Sequence, residues 1–337
     1  MENIKIGILG AGRIGTVHAA NLVRRVPGAR VAAIADVRHD AAQRCAQELG
    51  IPHAYTEPDP ILTDPAVDAV FICTSTDTHA SLIVAAAEAG KHVFCEKPIA
   101  LDLPTIARAL DAVRRAGVKL QIGFNRRFDP NFARLREEIA RGAIGRLHLL
   151  RITSRDPEPP PPEYIAVSGG IFLDMTIHDF DMARFLAGEE PTEVYATGSV
   201  LVDKRIGEQG DVDTAVVTLR FASGAIGVIE NSRRAVYGYD QRIEAFGEKG
   251  MLQVGNPRLD TLVRSDPHGD HRTRISHFFM DRYADSFVRE AQAFVTALRS
   301  GGPPPVTGED GEIAVVLAHA ARRSLAERRP VRIAEIS

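Results

Sequence analysis

A glycine-rich turn between a buried strand and a helix constrains this chain more than any other feature of its sequence. The run Gly10-Ala11-Gly12-Arg13-Ile14-Gly15 follows the apolar segment Ile4–Leu9 and opens a helical pattern over residues 13–25. In such a turn the first glycine permits the tight bend, the second lets a pyrophosphate approach the backbone, and the third lets helix and strand pack closely. The free N–H groups at the helix start favour the phosphates. We therefore expect a dinucleotide to bind here.

An acidic residue lies where a dinucleotide-binding turn requires one. Asp36 ends the second strand-like run, residues 30–35, at the position roughly 20 residues after the glycines where a carboxylate binds the adenosine ribose hydroxyls. Because a carboxylate repels a 2′-phosphate, the sequence predicts NAD rather than NADP. Arg38 leaves an alternative, since its guanidinium can pair with that phosphate, stack on adenine or remain a solvated surface charge.

Strand and helix patterns alternate over the first third of the chain, which is typical of a doubly wound parallel sheet. After residue 122 the strand patterns are longer, alternate with period two and follow one another, which indicates an antiparallel sheet, and two helices end the chain. We predict an α/β protein with a Rossmann domain over residues 1–122 and an α+β domain over residues 123–337. The second domain is expected to hold a large, open, mostly antiparallel sheet whose free face suits contact between copies of the chain.

The predicted elements have the following limits. Helices are expected at residues 13–25, 40–49, 78–89, 102–117, 130–141, 284–299 and 310–327. Strands are expected at residues 4–9, 30–35, 69–73, 92–95, 118–123, 147–154, 193–202, 214–221, 225–234 and 241–246, with hairpin turns at Ser223-Gly224 and Lys249-Gly250.

Composition excludes several classes of function. A net charge of −3 gives no basic surface for nucleic acid, and no apolar run approaches the ~18 residues of a membrane span. The apolar stretch at the N-terminus is short and interrupted by charge, so we expect no signal peptide. Three cysteines, Cys45, Cys73 and Cys95, lack metal-ligand spacing, which predicts reduced thiols and a cytoplasmic location.

A lysine follows directly after one strand of the predicted parallel sheet. Glu96-Lys97-Pro98 comes after His92–Cys95, at the carboxyl edge where doubly wound sheets bind ligands. Pro98 restricts the backbone and is compatible with a cis peptide bond that holds Lys97 in one direction. On spacing alone, an ordinary surface lysine is an equally good interpretation.

A second group of polar residues lies in the run of residues 169–179. If the chain is helical from Asp174, then Asp174 and His178 share one helix face, and histidine is the usual base near neutral pH. An N-cap aspartate beside a core histidine is the alternative, and the spacing by itself favours it. A zinc site would need three converging ligands, which Asp174, His178 and Asp179 could supply in principle, but the chain offers no cysteine pattern of a zinc site, so we predict no metal.

These motifs together resemble the Gfo/Idh/MocA oxidoreductase family over nearly the whole chain. The glycine fingerprint, Glu96-Lys97-Pro98 and the pattern GG-x3-D-x3-H form its three-part signature. Residues 123–129, 154–157, 168–186 and 231–242 are similar to members of the family that act on inositols.

The resemblance implies roles for individual residues. Lys97 is expected to contact the reacting oxygen and the nicotinamide ribose, and Asp174 and His178 are expected to form a polar pair at the reacting carbon, with His178 as base. The implied cofactor contacts are Gly10, Gly12, Arg13, Ile14, Gly15, Asp36, Val37, Arg38, Thr74, Ser75, Thr76, His79, Glu96, Lys97 and Pro98. The implied substrate contacts are Lys97, Asn125, Arg127, Asp156, Asp174, His178, Tyr237 and Tyr239. The two tyrosines are equally compatible with packing on the sheet.

The resemblance also implies an activity, which is NAD-dependent oxidation of myo-inositol at C2 to 2-keto-myo-inositol (scyllo-inosose) in inositol catabolism. It implies a homotetramer with a small cyclic polyol as its partner molecule, and no nucleic-acid or membrane partner. Three alternatives stay open: another inositol isomer or an aldose as substrate, a glycosidase that recycles bound NAD, and a non-catalytic NAD-binding regulator.

Overall fold

The computed structural model describes residues 3–336, which pack into two compact units. The first unit holds the residues up to Phe128 together with Asp285–Val315, and the second holds Asp129–Ala284 and the residues after Val315. Residues 285–315, which the sequence assigned to the second domain, thus pack with the first unit, where Phe294 lies in the core. The boundary at residue 122 stays a prediction, and the predicted outer limits at residues 1 and 337 lie outside the described residues.

The described residues form fifteen strands, twelve α-helices, two 3₁₀-helices and one π-helix. The strands are β1 (Ile4–Leu9), β2 (Ala29–Ala35), β3 (His53–Tyr55), β4 (Ala69–Ile72), β5 (His92–Cys95), β6 (Leu120–Ile122), β7 (Leu147–Arg155), β8 (Pro191–Ser199), β9 (Thr214–Phe221), β10 (Ile226–Ser232), β11 (Asp240–Gly247), β12 (Gly250–Val254), β13 (Val263–Asp266), β14 (Gly269–Arg272) and β15 (Val331–Arg332). The α-helices are α1 (Arg13–Arg24), α2 (His39–Leu49), α3 (Asp59–Leu62), α4 (Thr76–Glu88), α5 (Leu103–Ala116), α6 (Pro130–Ala140), α7 (Pro162–Ser168), α8 (Ile177–Ala187), α9 (Lys204–Glu208), α10 (Phe279–Arg282), α11 (Ala284–Ser300) and α12 (Gly308–Glu327). The 3₁₀-helices are Asn125–Phe128 and Ile333–Glu335, and the π-helix is Phe172–Thr176.

The first unit contains a six-stranded parallel sheet in the order β3-β2-β1-β4-β5-β6. Its central strands are apolar because both faces are covered, and Phe71 and Phe94 stack with ring centroids 4.4 Å apart. All carboxyl ends of parallel strands meet at one edge, so the turn after β1 and the loops after β2, β4 and β5 share that edge. The predicted doubly wound sheet is confirmed.

The second unit contains a seven-stranded sheet in the order β12-β11-β7-β10-β9-β8-β15. Its pairings are antiparallel except for β7 with β10, so the predicted open and mostly antiparallel sheet is confirmed. The parallel pair arises from the chain's path. After β7 the chain passes through helices, forms β8 and β9, and then adds β10 next to β7 on the side opposite β11. The hairpin turn predicted at Ser223-Gly224 joins β9 to β10, and Gly224 takes a positive φ of +90°.

Short elements account for most differences from the sequence prediction. Strands β3, β13, β14 and β15 and helices α3, α7 and α9 have two to seven residues, too few to show a period. Within residues 3–336, no helix has the length and apolar character needed to cross a bilayer.

Candidate active site

At two of the three glycines of the turn, an added side chain would collide with the backbone. Gly10 has a φ of +103°, and a Cβ there would lie 2.6 Å from the carbonyl oxygen of Cys73. A Cβ at Gly15 would collide with the carbonyl oxygen of Gly10. At Gly12, by contrast, a Cβ meets no described atom within 4 Å. Gly12 also caps α1 without a side chain, so the first N–H groups of the helix suit a phosphate.

Asp36 is tied to the glycine turn by its own carboxylate. The backbone N–H of Ala11 donates to Oδ2 at 2.7 Å, and the N–H of Arg38 donates to Oδ1 at 2.8 Å. These bonds hold a negative charge at the end of β2. The guanidinium Nε of Arg38 lies 3.8 Å from Oδ1, but that side chain is 68% exposed, and Val37 is also exposed.

The loops after β4 and β5 are joined by His79. Thr74 and Ser75 follow β4, and Thr76 begins α4. The buried ring of His79 lies between two carbonyl oxygens, 2.7 Å from that of Pro98 and 3.1 Å from that of Thr74. The ring nitrogens of His79 face these two carbonyl groups, and its predicted contact with the cofactor stays a prediction.

Lys97 lies half-buried directly after β5, and the Lys97–Pro98 peptide bond is cis, as the sequence suggested. The carboxylate oxygen Oε1 of Glu96 lies 2.8 Å from Nε2 of His18, and the predicted contact of Glu96 with the cofactor stays a prediction. Asn125 and Arg127, predicted as substrate contacts, lie in the following 3₁₀-helix. Asn125 is buried, and Arg127 forms an ion pair with Asp310 at 2.9 Å.

The first unit fits NAD by its chemistry. The open space at Gly12 admits a pyrophosphate, the start of α1 supplies N–H donors, and Asp36 supplies an acceptor for ribose hydroxyls. Arg38, the cation that lies 3.8 Å from Asp36, is 68% exposed. This arrangement disfavours a 2′-phosphate.

In the second unit, Asp174 lies in the π-helix and His178 lies in the first turn of α8. The sequence predicted a plain α-helical turn between them. Gly170 has a φ of +84°, and the N–H of Ile171 donates to both carboxylate oxygens of Asp211 at 3.1 and 3.0 Å. This anchor precedes the wider turn, and π-helical turns are common at functional sites.

Asp174 is fixed by two donors that the sequence analysis did not identify. Nη1 of Arg233 lies 2.9 Å from Oδ2 of Asp174 and 3.4 Å from Oδ2 of Asp156, while the hydroxyl of Tyr164 donates to Oδ1 of Asp174 at 2.8 Å. Burial, and then the charge of Asp174, raise the pKa of Tyr164, so it stays a donor. Although burial opposes its charge, Asp174 and Asp156 raise the pKa of Arg233.

A buried polar network supports the helix that carries His178. The hydroxyl of Thr176 donates to Asn231 at 2.6 Å, and the amide of Asn231 donates to Asp179 at 2.8 Å. The hydroxyl of Ser154 donates to the other carboxylate oxygen of Asp179 at 2.5 Å. The network ties the start of α8 to strands β7 and β10.

The two tyrosines of the run around Gly238 have different surroundings. The hydroxyl of Tyr237 donates to Asp240 at 2.7 Å. A cleft of about 330 Å³ is lined by Tyr237, Asp240, Arg242, Asn256, Arg258 and Ile275. That lining includes neither Asp174 nor His178. Tyr239 is buried and packs edge-on against Tyr283 at 6.0 Å, which agrees with the packing alternative.

Sequence reasoning missed Tyr164 and Asp211, which lie outside the recognised motifs, and it gave no role to Arg233, although that residue lies in the inositol-like run of residues 231–242. Arg233 comes 59 residues after Asp174, and no period links the two. The available signal was a pair of arginines, Arg233 and Arg234, in a strand-like run. Only the fold shows that the first is buried and the second is exposed.

A parallel six-stranded sheet with this glycine turn and acid defines a dinucleotide-binding Rossmann domain. Two family models match the chain: an oxidoreductase family with an NAD-binding Rossmann fold over residues 4–124, and a GFO/IDH/MocA C-terminal domain over residues 132–253. The chain belongs to the GFO/IDH/MocA oxidoreductase family.

The similarity to known proteins extends over the full length. The chain is 55% identical to the myo-inositol 2-dehydrogenase of Thermotoga maritima, over 99% of each chain. It is 48% identical to the inositol 2-dehydrogenase of Rhizobium meliloti, over 98% of this chain and 99% of that one. The scyllo-inositol dehydrogenase of Lactobacillus casei, solved with bound NAD(H) and scyllo-inositol, is 31% identical, with a TM-score of 0.91 over 99% of this chain and 100% of that one.

Proposed function

We propose that this protein oxidises myo-inositol at C2 with NAD, giving 2-keto-myo-inositol (scyllo-inosose). The observation that carries the proposal is Asp174, held by Arg233 and Tyr164 one turn before His178. The 55% identity to a myo-inositol 2-dehydrogenase over 99% of both chains supports the choice of substrate.

Each polar residue has one role in this reaction. NAD, when bound, accepts the hydride from the ring carbon. His178 takes the proton of the reacting hydroxyl as general base. Lys97 stabilises the negative charge that develops on that oxygen. Asp174 orients the polar pair, and its two oxygens keep their place because each already accepts a bond from Arg233 or Tyr164.

Two carboxylates around one guanidinium suit a polyol. Asp174 and Asp156 both lie within 3.4 Å of Arg233, which leaves their remaining lone pairs to accept hydrogen bonds from hydroxyl groups. A phosphate or carboxylate group on the substrate is disfavoured beside Arg233, since three acids (Asp156, Asp174 and Asp211) surround that one buried arginine.

We infer that the open face of the second sheet is covered by another copy of the chain, in the tetramer that the family resemblance implies. The register of the strands places five large apolar side chains on this face. They are 40–50% exposed and comprise Tyr195, Val216, Ile226, Phe246 and Met251. Light scattering after chromatography tests this: we expect four times the mass of one chain, and a smaller assembly when Ile226 and Phe246 are both replaced by lysine.

We infer a cytoplasmic location, where NAD and reduced thiols coexist. Cys45, Cys73 and Cys95 are free and buried, and the thiol of Cys95 donates to the carbonyl oxygen of Glu96 at 3.2 Å. Cell fractionation with an antibody to the protein tests this location. We expect the protein in the cytoplasmic fraction, and its recovery in another fraction would contradict the inference.

The test of function is NADH formation by purified protein with a panel of myo-, scyllo- and D-chiro-inositol, D-glucose and D-xylose. We expect the largest kcat/KM with myo-inositol and NAD, and little activity with NADP. Identification of scyllo-inosose as the product checks oxidation at C2. A larger kcat/KM with scyllo-inositol or an aldose would assign that compound as the substrate in place of myo-inositol. The absence of NADH with every polyol would overturn the proposal.

A further inference from the structure

Both residues that flank Lys97 are anchored by a buried histidine. Oε1 of Glu96 lies 2.8 Å from Nε2 of His18, and the carbonyl oxygen of Pro98 lies 2.7 Å from Nδ1 of His79. His18 is 0% exposed and His79 is 2% exposed. The two anchors come from different helices, α1 and α4, and act on opposite sides of the lysine.

The ring of His18 is held in one orientation by aromatic neighbours. It packs edge-on against Phe94 at 5.0 Å and Phe287 at 5.8 Å, and it is tilted against Phe71 at 5.5 Å. Such edge contacts are favourable for aromatic rings and leave no room for rotation in a packed interior. The direction of the bond from His18 to Glu96 is therefore set by the core.

Glu96 is held from two further sides. Its backbone N–H donates to the carbonyl oxygen of Ile72 at 3.0 Å. A Cβ at Gly123 would lie 3.0 Å from Oε2 of Glu96, so the carboxylate lies directly against the backbone of that glycine. The carboxylate of Glu96 therefore lies between the ring of His18 and the backbone of Gly123.

Glu290, on α11, completes this cluster. It is fully buried, its Oε1 lies 3.9 Å from Nε2 of His18, and within residues 3–336 neither carboxylate oxygen has a hydrogen-bond partner. Burial, and then the charge of Glu96, raise the pKa of Glu290 well above its usual range. Glu290 thus lies beside the His18–Glu96 contact without competing for its hydrogen bond.

We propose that His18 and His79 are positioning residues for Lys97. The proposal rests on the role assigned to Lys97 in the proposed function. Misplacing a reacting group by about 1 Å costs on the order of 10²-fold in rate. Lys97 lies in a loop directly after β5, and the anchors on Glu96 and Pro98 restrict the backbone on both sides of it.

Replacing His18 by leucine or glutamine tests the first anchor. We expect His18→Leu to lower kcat about 10- to 100-fold, with the KM for myo-inositol and the calorimetric Kd for NAD changed by less than about threefold. His18→Gln should recover most of the loss, because its amide N–H can donate to Glu96. The exposed His53→Leu is the matched control and should keep the wild-type kcat.

Two further variants extend the test. One provides evidence if His18→Leu fails to fold, and the other tests the second anchor, His79. Gly123→Ala leaves His18 intact but presses on the Glu96 carboxylate, and it should lower kcat several-fold. His79→Leu should lower kcat by a factor similar to His18→Leu. Wild-type kcat in folded His18→Leu, His79→Leu and Gly123→Ala proteins would overturn the positioning roles.

Lys97→Ala separates this proposal from the proposed function. Wild-type turnover in Lys97→Ala means that the role of Lys97 is wrong, whereas a loss there without a loss in His18→Leu overturns the positioning alone. The ligand atoms of His18, Glu96 and Glu290 lie within 4.8 Å of one another. A stoichiometric divalent metal that the wild-type protein binds and Glu290→Gln loses would therefore overturn the positioning role of His18, because His18 would then be a metal ligand.

Discussion

The glycine turn and the π-helical segment use opposite means to place polar groups. In the turn, the backbone provides the binding groups, and the key acid, Asp36, lies 25 residues from its partner Ala11. In the π-helical segment, side chains provide the groups, and Asp174 depends on Arg233, 59 residues away. A site built from backbone groups is therefore visible as a local motif, while a site built from side chains depends on how distant strands pair.

The largest expected effect comes from the base itself. His178→Ala removes the general base and should lower kcat by about 10²–10⁴-fold, with the calorimetric Kd for NAD unchanged. His268→Ala, an exposed histidine in the turn between β13 and β14, is the control. Wild-type kcat in His178→Ala at its pH optimum would show that another group takes the proton.

Arg233→Leu tests whether the second region depends on a remote charge. It leaves Asp174, Asp156 and Asp211 without their buried cation, so we expect kcat/KM to fall on the order of 10²-fold and the free energy of unfolding to fall by about 3 kcal/mol. Arg234→Leu, at the neighbouring exposed position, should change both by little. Equal effects of the two variants would remove the distinction between the regions.

Two alanine substitutions test whether the turn works through its backbone. Gly12→Ala meets open space, so the unfolding midpoint should stay unchanged while the affinity for NAD falls about 10-fold or more. Gly15→Ala collides with the backbone of Gly10, so the protein itself should be destabilised. Calorimetry with and without NAD measures both. An unchanged Kd in Gly12→Ala would mean that the pyrophosphate lies elsewhere.

Asp36→Ser tests the role of the one side chain that is hydrogen-bonded to the turn and is expected to bind the cofactor. Loss of the carboxylate removes the repulsion of a 2′-phosphate, so the ratio of kcat/KM for NAD over NADP should fall by about 10-fold. The ratio should fall further in a double variant in which Val37 is also replaced by arginine. An unchanged ratio would assign the preference to another residue.

The smallest expected effect concerns the buried thiols beside the parallel sheet. Burial raises the pKa of Cys73 and Cys95 well above the usual value, so both remain thiols in the folded protein. Their stabilising contribution is complete below the unfolded pKa of about 8.5 and is lost as the pH rises toward the folded value. Iodoacetamide should label neither at pH of about 8 until denaturant is added. Rapid labelling in the native protein would contradict this burial.

Much of the first unit could be predicted from the sequence because its signals are local. A run of apolar residues, three glycines and an acid at a regular distance lie on consecutive elements, and β1, β2, α1 and α2 formed within a residue or two of the predicted limits. In a parallel sheet, the ends of successive strands meet at one edge whatever the rest of the chain does. The position of Asp36 followed from that rule.

The sequence by itself determined the family, the parallel sheet, the NAD turn and the candidate pair Asp174 and His178. Tertiary structure alone decided that Asp174 lies in a π-helix, that a buried Arg233 and Tyr164 occupy its two oxygens, and that Glu290 lies beside His18. The physical reason is that burial and charge pairing depend on residues brought together by strand register and helix packing. When two side chains are far apart in the sequence, no periodic pattern or regular spacing predicts their contact.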